Sequence, residues 1–248
     1  MNQHWEHFTF AGVKSDDHGV WISGINTFAA PERDVELVTV PGRNGLLTLD
    51  NGRYQNIKIV YPCFMPIEHF RTGFDAFKSA VLSKIGYFEL TDTYHTDGFR
   101  KARIYNGITP TTGIYNKTAT FDITFDCYPQ FYLTTGQSYS TVTSGSTFNN
   151  PTAFPSKPLI QMSFSGTPRS GTVTVGGKTI TVTAADASPI YIDCELQHAW
   201  YESSNVKYSQ DSKITLTSGD FPELPSGNSV ISYTGASQVK IMPRWWRL

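Results

Sequence analysis

Short segments in which apolar and polar residues alternate, separated by turns that contain glycine, limit this chain to folds built from many β-strands. The clearest segment covers residues 172–183, where two alternating stretches flank Gly176-Gly177. A two-residue glycine connection supplies the positive φ angles of a tight hairpin turn. Short alternating stretches recur at residues 190–194, 214–216, 230–233 and 239–242 without a helical pattern between them. This spacing predicts a β-sandwich in the C-terminal part.

The chain has 248 residues, of which 39% are hydrophobic and 17% are charged, so it can bury the cores of two domains. Residues 136–156 contain no Asp, Glu, Lys or Arg and are dominated by small polar residues and proline. Such a stretch indicates a boundary between domains. We therefore predict an N-terminal domain at residues 1–135, a polar boundary segment at residues 136–156 and a C-terminal β-sandwich domain at residues 157–248.

The N-terminal part combines strands with turns. Residues 5–25 contain two apolar runs split by a polar, glycine-containing turn, which is typical of a hairpin. Strands are predicted at residues 34–39, 46–49 and 54–61, because apolar residues alternate there. Two turns interrupt these strands, at Pro41-Gly42-Arg43-Asn44-Gly45 and at Asp50-Asn51-Gly52.

One helix is predicted, at about residues 67–84, where apolar residues recur at spacings of three and four. Pro66 suits the start of this helix, and Gly86 suits a left-handed cap beyond its end. We expect the apolar stripe to pack on the sheet. The stripe consists of Phe70, Phe74, Phe77, Val81 and Ile85. The predicted fold class is thus mainly β, a β-rich α+β chain with one helix in its N-terminal domain.

Charge and hydropathy exclude several partners. The formal net charge is -1 and no basic run exists, so the chain lacks the positive surface that specific nucleic-acid binding requires. No stretch of about 18 apolar residues occurs, which argues against membrane insertion and against a signal peptide. The chain is expected to be made in the cytoplasm. Three widely spaced cysteines, Cys63, Cys127 and Cys194, are interpreted as buried apolar residues.

The sequence contains no recognisable catalytic motif, so we predict no catalytic residue, no metal, no cofactor and no enzymatic activity. His4 and His7 share a local spacing near the terminus, where a surface position is favoured over a metal site. Asp193 and Glu195 are expected on the outer face of a strand that buries Ile192. The carboxylate pairs that a hydrolase could use are Asp16 with Asp17, Asp92 with Asp97, and Asp193 with Glu195.

Aromatic side chains in the C-terminal part indicate an alternative function, the binding of a glycan. Trp200-Tyr201 is predicted in a loop, where the rings either contact a glycan or a partner protein or pack on their own domain. Trp245-Trp246 is expected to tie the C-terminus to the sandwich. A lectin-like, carbohydrate-binding module, for example of a cell-surface protein, is therefore the alternative function.

Four motifs in order along the N-terminal half resemble the distal tail (Dit) proteins of siphophages, and three in the C-terminal half resemble the same family. The first four are residues 10–20, 31–36, 40–45 and 50–54, and the other three are residues 191–195, 219–228 and 243–246. The resemblance therefore covers nearly the whole chain.

This resemblance implies a structural protein of the phage virion, located at the tail tip or baseplate. It implies an N-terminal belt domain, a C-terminal galectin-like sandwich, and a homohexameric ring closed through the belt domains. The implied partners are other copies of the chain, the tail tube protein, the tail-associated hub protein, the tape measure protein and a receptor-binding protein carried by the C-terminal domain. The chain has no long insertion that would house a further carbohydrate-binding module.

A closed ring requires a heterologous interface, in which one face of each subunit meets a different face of its neighbour. The turn-rich segment of the N-terminal domain is our candidate for one of these faces. An arginine there could pair with an acid of the neighbour, or it could brace loops of its own domain. The candidate interface residues are Arg33, Asp34, Pro41, Gly42, Arg43, Asn44, Gly45 and Asp50.

Overall fold

The computed structural model describes residues 5–23, 27–113 and 117–248. The chain divides into two compact units, one of residues 1–131 with Leu248 and one of residues 132–247. The division thus falls after Phe131, and residues 136–156, expected as a boundary segment, belong to the second unit. Among the described residues no helix is long and apolar enough to cross a membrane.

The first unit is built on one antiparallel sheet with the strand order β2-β1-β7-β8-β10-β6-β3, and β9 also pairs with β10. Two further strands, β4 and β5, form a separate two-stranded sheet. The strands are β1 (Phe8–Phe10), β2 (Val13–Lys14), β3 (Trp21–Ile22), β4 (Arg33–Thr39), β5 (Leu46–Tyr54), β6 (Ile57–Pro66), β7 (Phe88–Asp92), β8 (His95–Arg103), β9 (Thr111–Thr112) and β10 (Thr118–Leu133).

Alternation in β6 and β10 creates the buried face of this sheet. Every second residue of β6 from Ile57 to Met65 is buried, and so is every second residue of β10 from Ala119 to Cys127. The two strands pair with Phe121 opposite Cys63, so their buried residues lie on the same face. This face is the surface that the helix covers.

Helix α1 (Ile67–Leu82) follows β6 directly and buries Phe74, Phe77 and Val81. The ring of Phe77 is fully buried, at 6.4 Å from the ring of Phe8 in β1 and 6.2 Å from that of Phe121 in β10 (centroid distances). The predicted helix and its buried stripe are therefore confirmed over most of their length.

The end of the stripe was predicted incorrectly. The helix ends at Leu82, and Ile85, placed by its spacing on the buried stripe, is 92% exposed. The helical period continues in the sequence after the helix itself has stopped. Gly86 does have a positive φ of 108°, but it lies beyond the cap, which Ser83 forms.

The hairpin predicted at residues 5–25 does not join the two apolar runs, because the hairpin that forms there is a shorter one, β1 with β2 across Ala11-Gly12. β1 pairs with β2 and β7, whereas β3 pairs with β6. The polar residues Asp16–His18 form a 3-10 helix between them. Ser15 fixes this arrangement, because its buried hydroxyl accepts a hydrogen bond from the Phe8 N–H and its own N–H donates to the Phe8 carbonyl.

The second unit is a β-sandwich, as the alternation predicted. A six-stranded sheet in the order β11-β21-β13-β16-β17-β18 faces a five-stranded sheet in the order β12-β20-β14-β15-β19, and both contribute to one core. The strands of the two sheets are β11 (Ser140–Val142), β12 (Ser146–Asn150), β13 (Leu159–Ser163), β14 (Gly171–Val175), β15 (Lys178–Val182), β16 (Ile190–Asp193), β17 (His198–Ser203), β18 (Val206–Ser209), β19 (Ile214–Leu216), β20 (Gly227–Thr234) and β21 (Gln238–Met242), whereas the short strand β22 (Trp246–Arg247) belongs to neither sheet.

A buried ion pair ties the C-terminal segment to this sandwich. Asp193, expected on an outer face, is only 2% exposed and accepts hydrogen bonds from Arg244 Nη1 at 2.7 Å and Nη2 at 2.8 Å. The backbone N–H groups of Glu195 and Leu196 also donate to Asp193 Oδ1. Four donors satisfy the carboxylate, which is why a charge can be buried here.

Because Phe77 fills the space between helix and sheet, we expect Phe77→Ala to lower the free energy of unfolding by about 3–5 kcal/mol through the cavity it leaves. Ile85→Ala is the matched control, since Ile85 has the same helical spacing but is exposed. It should change the free energy of unfolding by less than about 0.5 kcal/mol. Urea unfolding at low protein concentration measures both. Equal effects of the two substitutions would contradict the packing described here.

The Asp193–Arg244 pair should make the second unit sensitive to acid. Burial of the Asp193 carboxyl would raise its pKa, but hydrogen bonds and charge from Arg244 outweigh burial and lower this pKa. The stabilisation is therefore present above the unfolded-state pKa of about 3.9 and is lost as pH falls through the lower folded-state pKa.

We expect Asp193→Asn to lower the free energy of unfolding by about 3 kcal/mol at pH 7, because Arg244 loses its buried partner. The difference from the wild type should shrink at acidic pH, where the wild-type carboxyl is protonated too. Asp220→Asn, which alters an exposed pair with Lys178, should have almost no effect. A difference for Asp193→Asn that does not depend on pH would argue against the ion pair.

The three cysteines are all buried free thiols, as predicted. Burial raises the pKa of the Cys127 thiol to about 12 and raises the pKa values of Cys63 and Cys194 further. We expect no reaction with a thiol reagent at pH 8 in the folded protein and three reactive thiols after unfolding in urea. Rapid labelling of the folded chain would show that at least one thiol is accessible.

Candidate self-assembly surface

The sheet formed by β4 and β5 is an exposed hairpin, here called the arm (residues 33–54). Residues 40–45 connect its two strands, and β4 with seven residues gives the arm a length of about 24 Å at the rise of an antiparallel strand. Most of its residues are exposed, and only a few are half-buried. A two-stranded hairpin is marginally stable by itself in water.

Both faces of the arm carry exposed apolar side chains. The strand register puts Val35, Leu37 and Leu46 on one face, and it puts Val38, Leu47 and Leu49 on the other. The exposed fractions of the five large side chains other than Val38 lie between 37% and 57%. Contiguous exposed apolar groups mark surfaces that another protein covers. The arm is therefore suited to lie between other protein surfaces.

Two ion pairs across the strands stiffen the arm. Arg33 Nε donates to Asp50 Oδ2 at 2.6 Å, and Arg53 Nε donates to Asp34 Oδ2 at 2.6 Å. The Gly52 N–H and then Arg33 lower the pKa of the Asp50 carboxyl, so this group stays ionised. Arg33 also lies over the ring of Tyr54. In the single chain, Arg33 thus braces its own domain, which is the second of the two roles that the sequence allows.

The strand β5 runs through Asp50-Asn51-Gly52, where the sequence predicted a turn. The register shifts between Arg33 and Val35 on the opposite strand, which marks a bulge. Gly52 has a φ of +72°, and its N–H donates to Asp50 Oδ1 at 2.8 Å. The glycine therefore accommodates an irregularity within a longer strand and keeps the arm continuous.

The tip of the arm is a turn held by two glycines. Gly42 and Gly45 have φ angles of +78° and +84°, and the Arg43 N–H donates to the Val40 carbonyl. Among the residues that the structure describes, the Arg43 side chain forms no ion pair. The arm thus brings together all the candidate interface residues, which are Arg33, Asp34, Pro41, Gly42, Arg43, Asn44, Gly45 and Asp50.

Four further apolar side chains of the first unit are exposed, and the sequence analysis did not predict this. They are Leu82, Ile85, Phe88 and Tyr105. The Arg103 guanidinium lies 5.6 Å from the Tyr105 ring centroid, and Arg103 Nε donates to Asp126 Oδ2 at 2.8 Å.

Trp200 and Tyr201 lie in strand β17, not in a loop as predicted. Trp200 is only 5% exposed, and its ring is covered by the rings of Tyr191 and His198 and by Lys207 Nζ, which is 4.4 Å from its centroid. Tyr201 is half-buried and stacks on Tyr208. The Trp200 ring therefore presents no open face on which a sugar could stack.

Four of the carboxylates that could have served a hydrolase make structural contacts, namely Asp16, Asp92, Asp193 and Glu195. Asp92 accepts a hydrogen bond from the Tyr61 hydroxyl at 2.5 Å and lies 2.9 Å from His95 Nδ1. Asp16 lies 3.9 Å from His7 Nδ1, whereas His4 is outside the described residues. Within the described part of the chain, no group of three or more His, Cys, Asp or Glu residues is arranged to hold a metal ion.

No protein-family model and no curated protein sequence matches the chain. Solved structures of phage proteins do match it over almost its whole length. The crystal structure of the SPP1 Dit protein, described as a paradigm of the hub adsorption apparatus in phages that infect Gram-positive bacteria, has a TM-score of 0.73 at 12% identity. Two structures of the phage P2 baseplate in its activated conformation, with Ca and with Sr, have TM-scores of 0.56 at 10% identity.

Each of these alignments covers 96% of this chain and 98% of the matched chain. The similarity therefore extends over both units and is not confined to a common sandwich. The sequence identity is too low to carry over individual residues, but the fold class predicted from the sequence is confirmed. The chain has the fold of the SPP1 distal tail protein and of the matching phage P2 baseplate chain.

Proposed function

We propose that this chain is a structural protein of a bacteriophage tail tip, in which six copies close into a ring. The ring joins the tail tube to the tail-associated hub. The observation that carries this proposal is the arm, whose two faces carry apolar side chains that stay exposed within the described part of the chain. A fold shared over 96% of the chain with a phage hub protein supports the same function.

The arm supports ring closure by supplying a surface for a heterologous contact. A hairpin that contacts a different surface on the next subunit makes such a contact, and it closes into a ring when the rotation between successive subunits closes. The pairs Arg33–Asp50 and Arg53–Asp34 keep the arm straight and reduce the conformational entropy lost on docking. The arm therefore supplies one of the two faces that each subunit needs.

The proposed role is structural and not catalytic. Asp193 is held by Arg244, and Asp92 is held by Tyr61 and His95, so these carboxylates are engaged in contacts that stabilise the fold. A cleft of about 410 Å³ opens next to Cys63, whose pKa is raised by burial, and threonine and aromatic side chains form much of its lining. Neither arrangement supports proton transfer or nucleophilic attack.

The proposed partners follow the place of the ring in the virion. They are the tail tube protein on one side and the tail-associated hub protein on the other, with the tape measure protein ending nearby. The second unit is the proposed attachment site of a receptor-binding protein. A carbohydrate-binding function has less support, because the ring of Trp200 is covered by its own domain.

The arm can be tested by replacing its leucines with serine. We expect the wild-type chain of 27.6 kDa to form a particle of about 166 kDa, the mass of six copies in closed cyclic symmetry. A variant with Leu37→Ser, Leu46→Ser, Leu47→Ser and Leu49→Ser should remain a folded monomer, because the interface loses its apolar area. Light scattering gives the masses, and near-ultraviolet circular dichroism verifies folding.

The matched control replaces apolar residues that are equally exposed but lie in the second unit. These substitutions are Leu196→Ser, Val206→Ser and Val230→Ser, and they should leave the mass at about 166 kDa under the same cyclic symmetry. A wild-type chain that stays monomeric at all concentrations would contradict ring formation by this chain. A ring that persists in the arm variant would contradict the role of the arm.

A further inference from the structure

The cleft next to Cys63, of about 410 Å³, lies on the face of the first unit's main sheet that helix α1 does not cover. The helix packs on the opposite face, where the rings of Phe74 and Phe77 contact that of Phe121. We call this cleft the sheet cleft. Its floor consists of outward side chains that alternate with the buried residues of β6 and β10, namely Pro62, Phe64, Thr120 and Asp122. The volume of the sheet cleft is within the range of small-molecule sites.

The strand register gives the sheet cleft an apolar side and a polar side. Phe64 lies opposite Thr120. Pro62 lies opposite Asp122, so β6 supplies the apolar groups of the floor and β10 supplies the polar groups. The next strand extends the apolar side, because Trp21 in β3 pairs with Phe64 and shares its face. A ligand in the sheet cleft therefore meets apolar groups on one side and hydrogen-bonding groups on the other.

Edge-to-face contacts hold the apolar side in place. The ring centroid of Trp5 lies 5.4 Å from that of Phe64, with an interplanar angle of 69°, and 5.2 Å from that of Trp21, with an angle of 75°. Such contacts stabilise aromatic pairs in a defined geometry. Phe64 is only half-buried in this cluster. Its ring therefore offers a fixed apolar surface, and little entropy is lost when a ligand packs on it.

The polar side carries hydrogen-bonding groups that the described part of the chain leaves unused. Asp122 is exposed, and among the described residues its carboxylate forms no ion pair and accepts no hydrogen bond. The hydroxyls of Ser23 and Thr109 also line the sheet cleft and form no hydrogen bond within the same ranges. Thr120 Oγ1 donates to the Thr111 carbonyl at 3.5 Å, which is long for a hydroxyl donor. An ionised carboxylate has about four acceptor sites, so Asp122 can accept two donors from one ligand.

We propose that the sheet cleft binds a neutral pyranose sugar. One face of a pyranose ring carries mainly C–H groups, which pack on Phe64 and lose their contact with water. Adjacent hydroxyl groups of the same ring donate to the Asp122 carboxylate. The hydroxyls of Thr120 and Ser23 supply further hydrogen bonds. A simple cation would pair with the carboxylate and leave the apolar side of the sheet cleft unused, whereas a sugar uses both sides.

This binding site goes beyond the proposed structural role. It does not depend on ring closure, because all of its groups belong to the first unit of a single chain. It also differs in place from the glycan contact that the sequence suggested at Trp200 in the second unit, since the Trp200 ring is covered by its own domain.

Saturation-transfer NMR of the full-length chain tests sugar binding directly. The probes are glucose, galactose, N-acetylglucosamine and rhamnose, each used alone. We expect at least one of them to bind with a dissociation constant on the order of 1 mM, as is usual for so small a ligand. Saturation should reach the C–H protons of one ring face most strongly, because that face packs on Phe64. The absence of transfer to all four sugars at about 10 mM, about ten times this constant, overturns the proposal.

Substitutions on the two sides of the sheet cleft locate the bound sugar. Asp122→Ala should raise the dissociation constant at least about tenfold, because hydrogen bonds to a carboxylate are lost. Phe64→Leu keeps an apolar side chain but removes the ring, and it should raise the constant about threefold. Thr124→Ala is the matched control, since Thr124 lies on the same face of β10 two residues beyond Asp122 and does not line the sheet cleft. Near-ultraviolet circular dichroism verifies folding, and equal affinities of Asp122→Ala and Thr124→Ala overturn this site.

Salt and a cationic probe distinguish a sugar site from a cation site. Binding of a neutral sugar should stay constant as the NaCl concentration rises from about 0.05 M to about 0.5 M, because no charges are paired. Ethylammonium should bind at least about tenfold more weakly than the sugar, since an exposed ion pair contributes little. Tighter binding of ethylammonium than of every sugar overturns the proposal in favour of a cation site. Sugar binding by a chain that stays monomeric at all concentrations overturns the ring and supports the sugar site.

Discussion

A two-stranded β-sheet has no second layer to cover its side chains, and this constraint governs the interpretation of the molecule. Leu37 and Leu46 on one face of the arm and Leu47 and Leu49 on the other remain exposed in the single chain. Contact between such apolar groups and water is unfavourable, so the arm is stabilised when another protein surface covers it and removes this water. The exposed leucines are unfavourable in a monomer, and they favour an assembly in which every arm is covered.

The packed core of the first unit gives this arm a rigid support. The sheet of the first unit and helix α1 bury Phe8, Phe77 and Phe121 against one another, so the strands from which the arm projects are fixed by close packing. The second unit has its own core, and the Asp193–Arg244 pair anchors the C-terminal segment to it. Each unit therefore holds its shape through its own core, while the exposed surfaces remain available for contacts with other proteins.

Local patterns predicted the elements that depend on near neighbours in the sequence. The helix and the Gly176-Gly177 hairpin were foreseen because their periodicity and turn chemistry lie within a few residues. The burial of Asp193 could not be foreseen, since its partner Arg244 follows 51 residues later.

Ile85 shows how a local pattern can predict the wrong environment for a residue. Its spacing continues the buried stripe, but the helix ends before it, and only the structure shows that this residue lies on a surface. The candidate interface residues were placed on one segment, but their assembly into a continuous arm depended on the bulge at Gly52.

Hydrogen–deuterium exchange of the arm, measured below and above the concentration at which the chain assembles, tests the central claim most directly. Burial of the arm against a neighbouring copy predicts that amides of residues 33–54 exchange at least about tenfold more slowly in the assembled protein. Amides of the exposed edge strand Val206–Ser209 in the second unit should exchange at the same rate in both states. Equal exchange of the arm in the two states would contradict the account, because it would show that the arm remains uncovered when the subunits associate.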